Sequence, residues 1–433
     1  MRIALGLVVL LVACGPSTRN DDDDNFGNDS GPPPSMCAAM GLPETTVVGT
    51  VFAPNGTLPL YNFNVYIPQS APGPLPDGVQ CGQCDSNLPG DPIVQAISDE
   101  GGHFTLTGNI PTGTAVPLVI TSGKWRKQTT ITVNECMQNN VTPEQGRLPK
   151  NKSEGDMPQI AVATGGADST ECLIRRLGID DAEITGQAGT GKVHLYAGLD
   201  GVSTFKSGFA GGGTITDATN LWNTVDQLKK YDIVLLSCEG QEDVSNKSTA
   251  ARANMKTYAD LGGRVFASHY HYVWITQGPT PWPSTATFGT PAITSIDQDT
   301  IDEVNNPKGT SFATWMMNVM GSTVRDQINL KSGSGRYSMT KVDLTKSQQW
   351  VTTADTGANR APQVYLFETP NEVAEDQRCG KVVFSDMHVS GDTAGGAYPD
   401  NCGAGAGSTT LSAQEKAIAF IFFDIASCVG ILQ

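Results

Sequence analysis

The 433-residue chain has little charge, few aromatic residues and very few histidines, and each shortage excludes a class of protein. Only 17% of the residues are charged, and 28 Lys and Arg stand against 44 Asp and Glu, so the formal net charge is −16. Because so acidic a chain is repelled by phosphate backbones and anionic lipid, we expect no nucleic-acid partner. With only five histidines, any cluster of them marks a candidate site for metal or acid–base chemistry.

Long apolar runs are also missing, except at the start of the chain. Arg2 precedes the segment Ile3–Val12, which is too short for a membrane-spanning helix and is typical of a signal peptide. The segment runs into Leu11-Val12-Ala13-Cys14, which resembles the lipobox of bacterial lipoproteins. The resemblance implies a signal peptide over residues 1–14 and lipid attachment at Cys14, with an ordinary secretory signal as the alternative. We therefore expect an exported protein whose lipid holds it to a membrane, in the outer membrane of a Gram-negative bacterium.

Residues 15–43 contain four consecutive aspartates and a triple proline, so we expect a disordered tether.

Beyond Cys14 there are nine further cysteines, and in an oxidising compartment most should pair and leave at least one thiol. The sequence leaves their pairing open. Cys81 and Cys84 have the spacing of a redox motif, but their loop is rich in Gly, Pro and Asp. It favours a structural disulfide loop over a zinc or redox site.

Residues 44–144 alternate apolar and polar residues at period two, with turns at Asn55-Gly56 and residues 100–102, which predicts an antiparallel β-sandwich. The segments "VVGTVFAPNGTLPLYNFNVYI" and "AISDEGGHFTLTGNIPTGT" resemble the carboxypeptidase regulatory-like domain, a transthyretin-like sandwich of the carbohydrate-binding-like group. That resemblance implies no catalytic residues in this part. Trp125 lies between two cationic residues and is a candidate for stacking on a sugar, although a strand with one buried face gives the same pattern.

Residues 145–158 are polar and aperiodic, which predicts a linker. In residues 159–433 apolar strands alternate with helices, which predicts a mostly parallel, doubly wound α/β sheet of flavodoxin-like type. The segments "YDIVLLSCEG", "YADLGGRVFASHYH" and "GKVVFSDMHVS" resemble the class I glutamine-amidotransferase-like fold, in its trehalose-utilisation-like branch. The resemblance implies that Ser268 or His269 takes the nucleophile position and His388 the position of the catalytic histidine.

Because parallel strands end at a common edge, we expect residues 237–239, 268–271 and 386–388 to line one rim of the sheet. A first interpretation is hydrolysis, with Ser268 as nucleophile, His388 as base, and Glu239 or Asp386 orienting the imidazole. Several features oppose it. The turn around Ser268 lacks the small neighbours that a nucleophile needs, the family cysteine is absent from this position, and we expect Cys238 on the neighbouring strand to be in a disulfide.

A second interpretation is a metal site, in which three imidazoles and a carboxylate form an acceptable zinc shell: His269, His271, Asp386 and His388. A third is a non-catalytic rim that binds a glycan, peptide or protein partner through aromatic side chains: Tyr270, Trp274 and Trp282. We favour the third, an envelope lipoprotein with a degenerate, non-catalytic amidotransferase-like domain. The alternative is a hydrolase or metal-dependent enzyme that acts on envelope polymers.

Overall fold

The computed structural model describes most of the chain, namely residues 35–82, 88–293, 297–331, 335–354, 360–389, 396–405 and 410–429. The predicted signal peptide, the lipidation site Cys14, most of the predicted tether and Cys84 lie outside the described residues. None of the helices within the described ranges combines the length and the hydrophobicity needed to cross a bilayer.

The first part of the chain is built from β-strands that form two sheets: β1 (Thr46–Thr50), β2 (Asn64–Pro68), β3 (Pro92–Ile97), β4 (His103–Leu106), β5 (Gly113–Ser122), β6 (Trp125–Val133) and β7 (Gln138–Asn140). One sheet has the order β4-β1-β7 and the other β3-β2-β5-β6. Their pairs are antiparallel except β1 with β7, which is parallel. The predicted turn after β3 exists: the Asp99 carboxylate accepts from the backbone N–H groups of Gly101 and His103. It passes the chain from one sheet to the other and does not close a hairpin.

The second part contains fourteen further strands within the described ranges: β8 (Ile160–Ala163), β9 (Ile184–Gly186), β10 (Val193–Tyr196), β11 (Thr204–Phe205), β12 (Gly213–Thr214), β13 (Ile233–Leu236), β14 (Arg264–Ser268), β15 (Ala286–Ile293), β16 (Gln298–Ile301), β17 (Gln327–Asn329), β18 (Arg336–Val342), β19 (Gln348–Thr353), β20 (Pro362–Thr369) and β21 (Gly380–Ser385). Ten of them form one sheet in the order β17-β16-β19-β20-β21-β14-β13-β8-β10-β9. Two antiparallel pairs, β11 with β12 and β15 with β18, lie outside it.

The large sheet is mixed, whereas the sequence predicts a mostly parallel one. From β9 to β21 the neighbouring strands are parallel. From β21 to β17 they are antiparallel. The connections explain the difference, since a parallel crossover needs about a dozen residues or more and only residues 354–361 separate β19 from β20. The strand–helix alternation of residues 159–268 therefore does not extend to the rest of the chain.

The helices are short, apart from three of ten or more residues: α1 (Met36–Ala39), α2 (Pro143–Gly146), α3 (Thr170–Arg176), α4 (Thr219–Trp222), α5 (Val225–Leu228), α6 (Thr249–Asp260), α7 (Val273–Thr276), α8 (Gly309–Asn318) and α9 (Ala413–Ile425). Ser412 and Glu415 form the predicted capping box of α9. This helix is buried on nearly all sides. Its Phe423 contacts Phe63 and Trp125 of the first part, with ring centroids 6.2 and 6.0 Å apart.

The two parts therefore share one continuous hydrophobic core, which changes the interpretation of two segments. Trp125 is buried against α9 and offers no surface for stacking on a sugar, because its strand turns this face inwards. The segment 145–158, predicted as a linker, is packed against the first part. Within it Leu148 and Arg147 are buried, and Asp156 forms an ion pair with Arg126 of β6.

Three disulfides join distant parts of the chain: Cys37–Cys136, Cys81–Cys379 and Cys172–Cys402. Cys428 is also disulfide-bonded, whereas Cys238 is a buried free thiol. The prediction that a thiol is left over is confirmed, but the expectation that Cys238 is oxidised is wrong. Cys81 forms a long-range bridge, so it is part of neither a local loop nor a zinc site. Each bridge lowers the entropy of the unfolded chain by closing a loop, which stabilises the folded state.

Candidate functional site

The carboxyl ends of three adjacent parallel strands bring together the residues of the candidate site. β14 lies between β13 and β21, with Leu236 paired to Ala267 and Ser268 paired to Ser385. Cys238 follows β13, His269 follows β14 and His388 follows β21. The side chain of Gln414 in α9 donates to the backbone carbonyl of His388 and helps to position it.

Cys238, His269 and His388 form a compact cluster in which one potential ligand atom of each residue lies within 4.8 Å of the others. The Sγ atom of Cys238 is 3.8 Å from Nδ1 of His269, and the two imidazole centroids are 5.4 Å apart. The three residues are 0%, 3% and 7% exposed. Two tetrahedral zinc ligands, one sulfur and one nitrogen at their usual bond lengths, would be about 3.6 Å apart. The thiol and the first imidazole are therefore already close to ligand spacing.

The outer nitrogen of His269 faces a carboxylate. Nε2 of His269 lies 3.8 Å from Oδ1 of Asp386, and that carboxylate accepts from the backbone N–H and the hydroxyl of Ser338, each at 2.7 Å. Nε2 of His269 and Nε2 of His388 are both buried without a hydrogen-bond partner among the described residues. Metal-ligating histidines commonly direct their second nitrogen at a carboxylate, and Asp386 is suitably placed for that role.

Burial sets the charge state of the cluster. It lowers the pKa of His269 to about 4 and that of His388 to about 3, so both imidazoles are neutral at pH 7. Burial also raises the pKa of the Cys238 thiol to about 12 and that of Asp386 to about 7. The N–H of Gly240 donates to Sγ of Cys238 at 3.4 Å. Neutral imidazoles are the form that binds metal, and a bound cation would favour the thiolate.

The hydrolytic arrangement predicted from the sequence is not assembled. Oγ of Ser268 donates to Oδ2 of Asp168 at 2.6 Å, so a carboxylate and no histidine is its partner. Glu239 does not orient His388, because it forms a buried ion pair with Lys247 at 2.5 Å. Asp168 is not among the site residues predicted from the sequence.

His271 is not part of the cluster, although the sequence predicts it as a metal ligand. Its Nε2 donates to the carbonyl of Ser237 at 2.8 Å, and its Nδ1 accepts from the indole N–H of Trp274 at 3.0 Å. The prediction assumed that the strand continues, so that residues two apart share a face. His269–Tyr272 instead form a 3-10 helix, in which residues two apart point in directions roughly 120° apart.

Two of the three aromatic side chains that the sequence predicts to bind a partner at the rim are instead part of the core. Trp274 is buried against Trp222 with ring centroids 5.2 Å apart, and Trp282 is buried against Phe367 at 5.4 Å. Of the predicted binding aromatics near the rim, Tyr270 alone is half-buried, and its ring lies 4.4 Å from that of His269. Trp274 and Trp282 therefore present no flat surface to a partner.

Comparisons with known proteins give only distant similarities. No family model and no curated protein matches the chain. The similarity to a ThuA-like protein of Bacteroides uniformis covers 56% of this chain and 86% of that protein, with 10% sequence identity and a TM-score of 0.31. Two interface mutants of a type II cohesin–X-dockerin complex from Acetivibrio cellulolyticus cover 31% and 34% of this chain and 85% and 79% of their own, with 15% and 12% identity and TM-scores of 0.17 and 0.16. At these TM-scores the similarities say nothing about activity, which has to be inferred from the side chains of the site.

Proposed function

We propose that this protein binds one transition-metal ion, with zinc as the expected ion, through Cys238, His269 and His388. One observation carries the proposal: a free thiol and two neutral imidazoles converge in the core, with one potential ligand atom of each within 4.8 Å of the others, and Nε2 of His388 has no hydrogen-bond partner among the described residues. Leaving such atoms unpaired in a dry interior costs about 1–3 kcal/mol each. A cation that takes the lone pair of Nε2 in His388 offsets that cost, whereas Nε2 of His269 is the nitrogen that faces Asp386.

The donor set selects the class of metal. One thiolate and two imidazoles suit zinc or copper, whereas magnesium and calcium prefer oxygen ligands. Three protein ligands leave a tetrahedral zinc with one further position. Because the cluster is almost completely buried, a ligand of the size of water suits that position better than an envelope polymer. We therefore favour a metal-binding function over hydrolysis of a polymer.

We further propose that the metal site belongs to an exported, lipid-anchored envelope protein. The disulfides support an oxidising compartment, and the lipobox-like segment supports an anchor at Cys14. We assign the first part to a β-sandwich and the second to an amidotransferase-like α/β domain without the family's catalytic residues. Such a protein contacts the membrane through its lipid, and any glycan, peptide or protein partner would bind outside the metal cluster.

Metal analysis of the purified protein tests this function. After loading with zinc and removal of free ions, we expect about one zinc per chain in the wild type and less than a tenth of that in Cys238→Ser. His194→Gln is the matched control, because His194 is a half-buried histidine that hydrogen-bonds Tyr231 at the opposite edge of the sheet. This control should retain full zinc. A wild type without stoichiometric metal, or a Cys238→Ser variant that retains it, would contradict the proposal.

A second candidate function is thiol chemistry, since Cys238, His269 and Asp386 stand in the order of a nucleophile, a base and an orienting carboxylate. The high pKa of the buried thiol opposes it. Iodoacetamide labelling separates the two functions. We expect Cys238 of the native, metal-free protein to react only after unfolding, whereas rapid labelling of the native protein would favour a nucleophile.

A further inference from the structure

A cavity lies at the end of the parallel strands opposite to the metal cluster, between the first part of the chain and the starts of β13 and β14. Its volume is about 380 Å³, within the range of small-molecule sites. Much of its wall is apolar and comes from Tyr66, Leu75, Pro76, Pro89, Pro158 and Ile233. The rest of the wall includes Lys124, Arg126, Arg264 and Asp232.

The two arginines of this cavity are 3% and 6% exposed, and each has a guanidinium N–H group without a hydrogen-bond partner among the described residues. Arg126 pairs with Asp156 through Nε and Nη2, but its Nη1 is unsatisfied. Arg264 donates to the backbone carbonyls of Gly262, Cys379 and Ser427, and its Nε is unsatisfied. Among the described residues, no carboxylate hydrogen-bonds Arg264.

Arg264 is the cation of this wall that has no carboxylate partner among the described residues, because Arg126 is already paired with Asp156. The carboxylate of Asp232 is already paired with Lys124 at 2.6 Å, so it does not neutralise either arginine. Burial lowers the pKa of Arg264 to about 10, which still leaves it charged at pH 7. A buried guanidinium held by carbonyls alone favours an anion, and the fork of N–H donors matches a carboxylate.

We propose that this cavity binds a small organic anion with an apolar body, of the fatty-acid class. Its carboxylate lies against Arg126 and Arg264, and its chain lies against the apolar wall. This site is independent of the metal cluster, because β14 contributes Arg264 at its start whereas His269 follows its end. Loss of one site should leave the other intact.

Fluorescence titration with 1-anilinonaphthalene-8-sulfonate tests the proposal on the whole purified protein. We expect one site of micromolar affinity, from which decanoate displaces the probe and the uncharged decanol does not. Arg126→Gln should weaken probe binding by about tenfold or more, because it removes a charged donor. Arg325→Gln, at an exposed arginine paired with Glu303, is the matched control and should change the affinity less than about twofold.

Thermal unfolding of each variant confirms that it folds, and Arg264→Lys gives a second, charge-conserving test in which decanoate binding weakens but persists. Displacement by decanol as effective as by decanoate would overturn the proposal. So would unchanged affinity in a folded Arg126→Gln variant. Zinc content measured on the same samples should stay constant, so a failure here is distinguishable from a failure of the metal site.

Discussion

The parallel strands of the large sheet end on one side, the carboxyl edge, and begin on the other, the amino edge. The two edges contain buried polar groups of opposite character. At the carboxyl edge, Cys238, His269 and His388 are neutral, and Nε2 of His388 has no hydrogen-bond partner among the described residues. At the amino edge, Arg126 and Arg264 are cationic, and each has one N–H group without an acceptor among the described residues. One end therefore suits a metal cation and the other an organic anion. In this account, the buried polar groups at each end, and not the net charge of the whole chain, indicate the charge of the proposed partner.

The largest expected effect is on stability at the carboxyl edge. Glu239→Gln leaves the fully buried Lys247 without its counter-ion, so we expect a loss of about 3–5 kcal/mol in the free energy of unfolding by urea. Glu303→Gln removes an exposed partner of Arg325 and should cost less than about 1 kcal/mol. Zinc content should be unchanged in both folded variants. Loss of zinc in Glu239→Gln would mean that Glu239 belongs to the site after all.

The next effect concerns a buried cation at the amino edge. Lys381 pairs in register with Arg264, and burial lowers its pKa to about 7. The charged groups around it are Asp424, Lys308, Arg264 and Glu368. The unfolded lysine is protonated below about pH 10.5, whereas the folded one is protonated only below about pH 7. Protonation of the unfolded state therefore lowers the free energy of unfolding as the pH falls from 10.5 to 7. Lys381→Met should therefore raise the unfolding free energy at pH 7 by roughly 1–4 kcal/mol.

Urea unfolding of the wild type and Lys381→Met at pH 7 and pH 10 checks this prediction. The wild type should gain stability relative to the variant as the pH rises. Lys206→Met is the control, because Lys206 is exposed and forms only a surface ion pair with Asp400. An equal pH dependence in the wild type and Lys381→Met would show that burial does not lower the pKa of Lys381.

The smallest expected effect concerns Asp386, whose carboxylate lies beside the cluster. Asp386→Asn keeps an acceptor for Ser338 but removes the charge that faces His269. We expect the zinc stoichiometry to stay at one, with an affinity about 10–100-fold weaker in a chelator competition assay. Asp217→Asn, at an exposed aspartate that caps Thr219, should leave the affinity unchanged. An unchanged affinity in Asp386→Asn would remove Asp386 from the site.

The position of the site could be predicted from the sequence, because apolar strands and the polar residues that follow them are local features. His269, His388 and Asp386 were named on that basis, and the structure brings them together. His271 was predicted wrongly because the chain leaves the strand at Ser268 and coils into a 3-10 helix. Cys238 was assigned to a disulfide because export favours oxidation, whereas its burial beside two imidazoles depends on the three-dimensional packing.

The amino-edge cavity could not be predicted from sequence. Arg126 and Arg264 are 138 positions apart, and they line one cavity because the two parts of the molecule pack against each other in one core. The antiparallel half of the large sheet was missed for a related reason. Short connections such as residues 354–361 determine strand direction, and their effect depends on which strand the chain joins next.

X-ray absorption spectroscopy of the zinc-loaded protein tests the central claim most directly. A site made by Cys238, His269 and His388 predicts one sulfur at about 2.3 Å and two imidazole nitrogens at about 2.0–2.1 Å from the metal. A shell of nitrogen and oxygen alone, without sulfur, would contradict it.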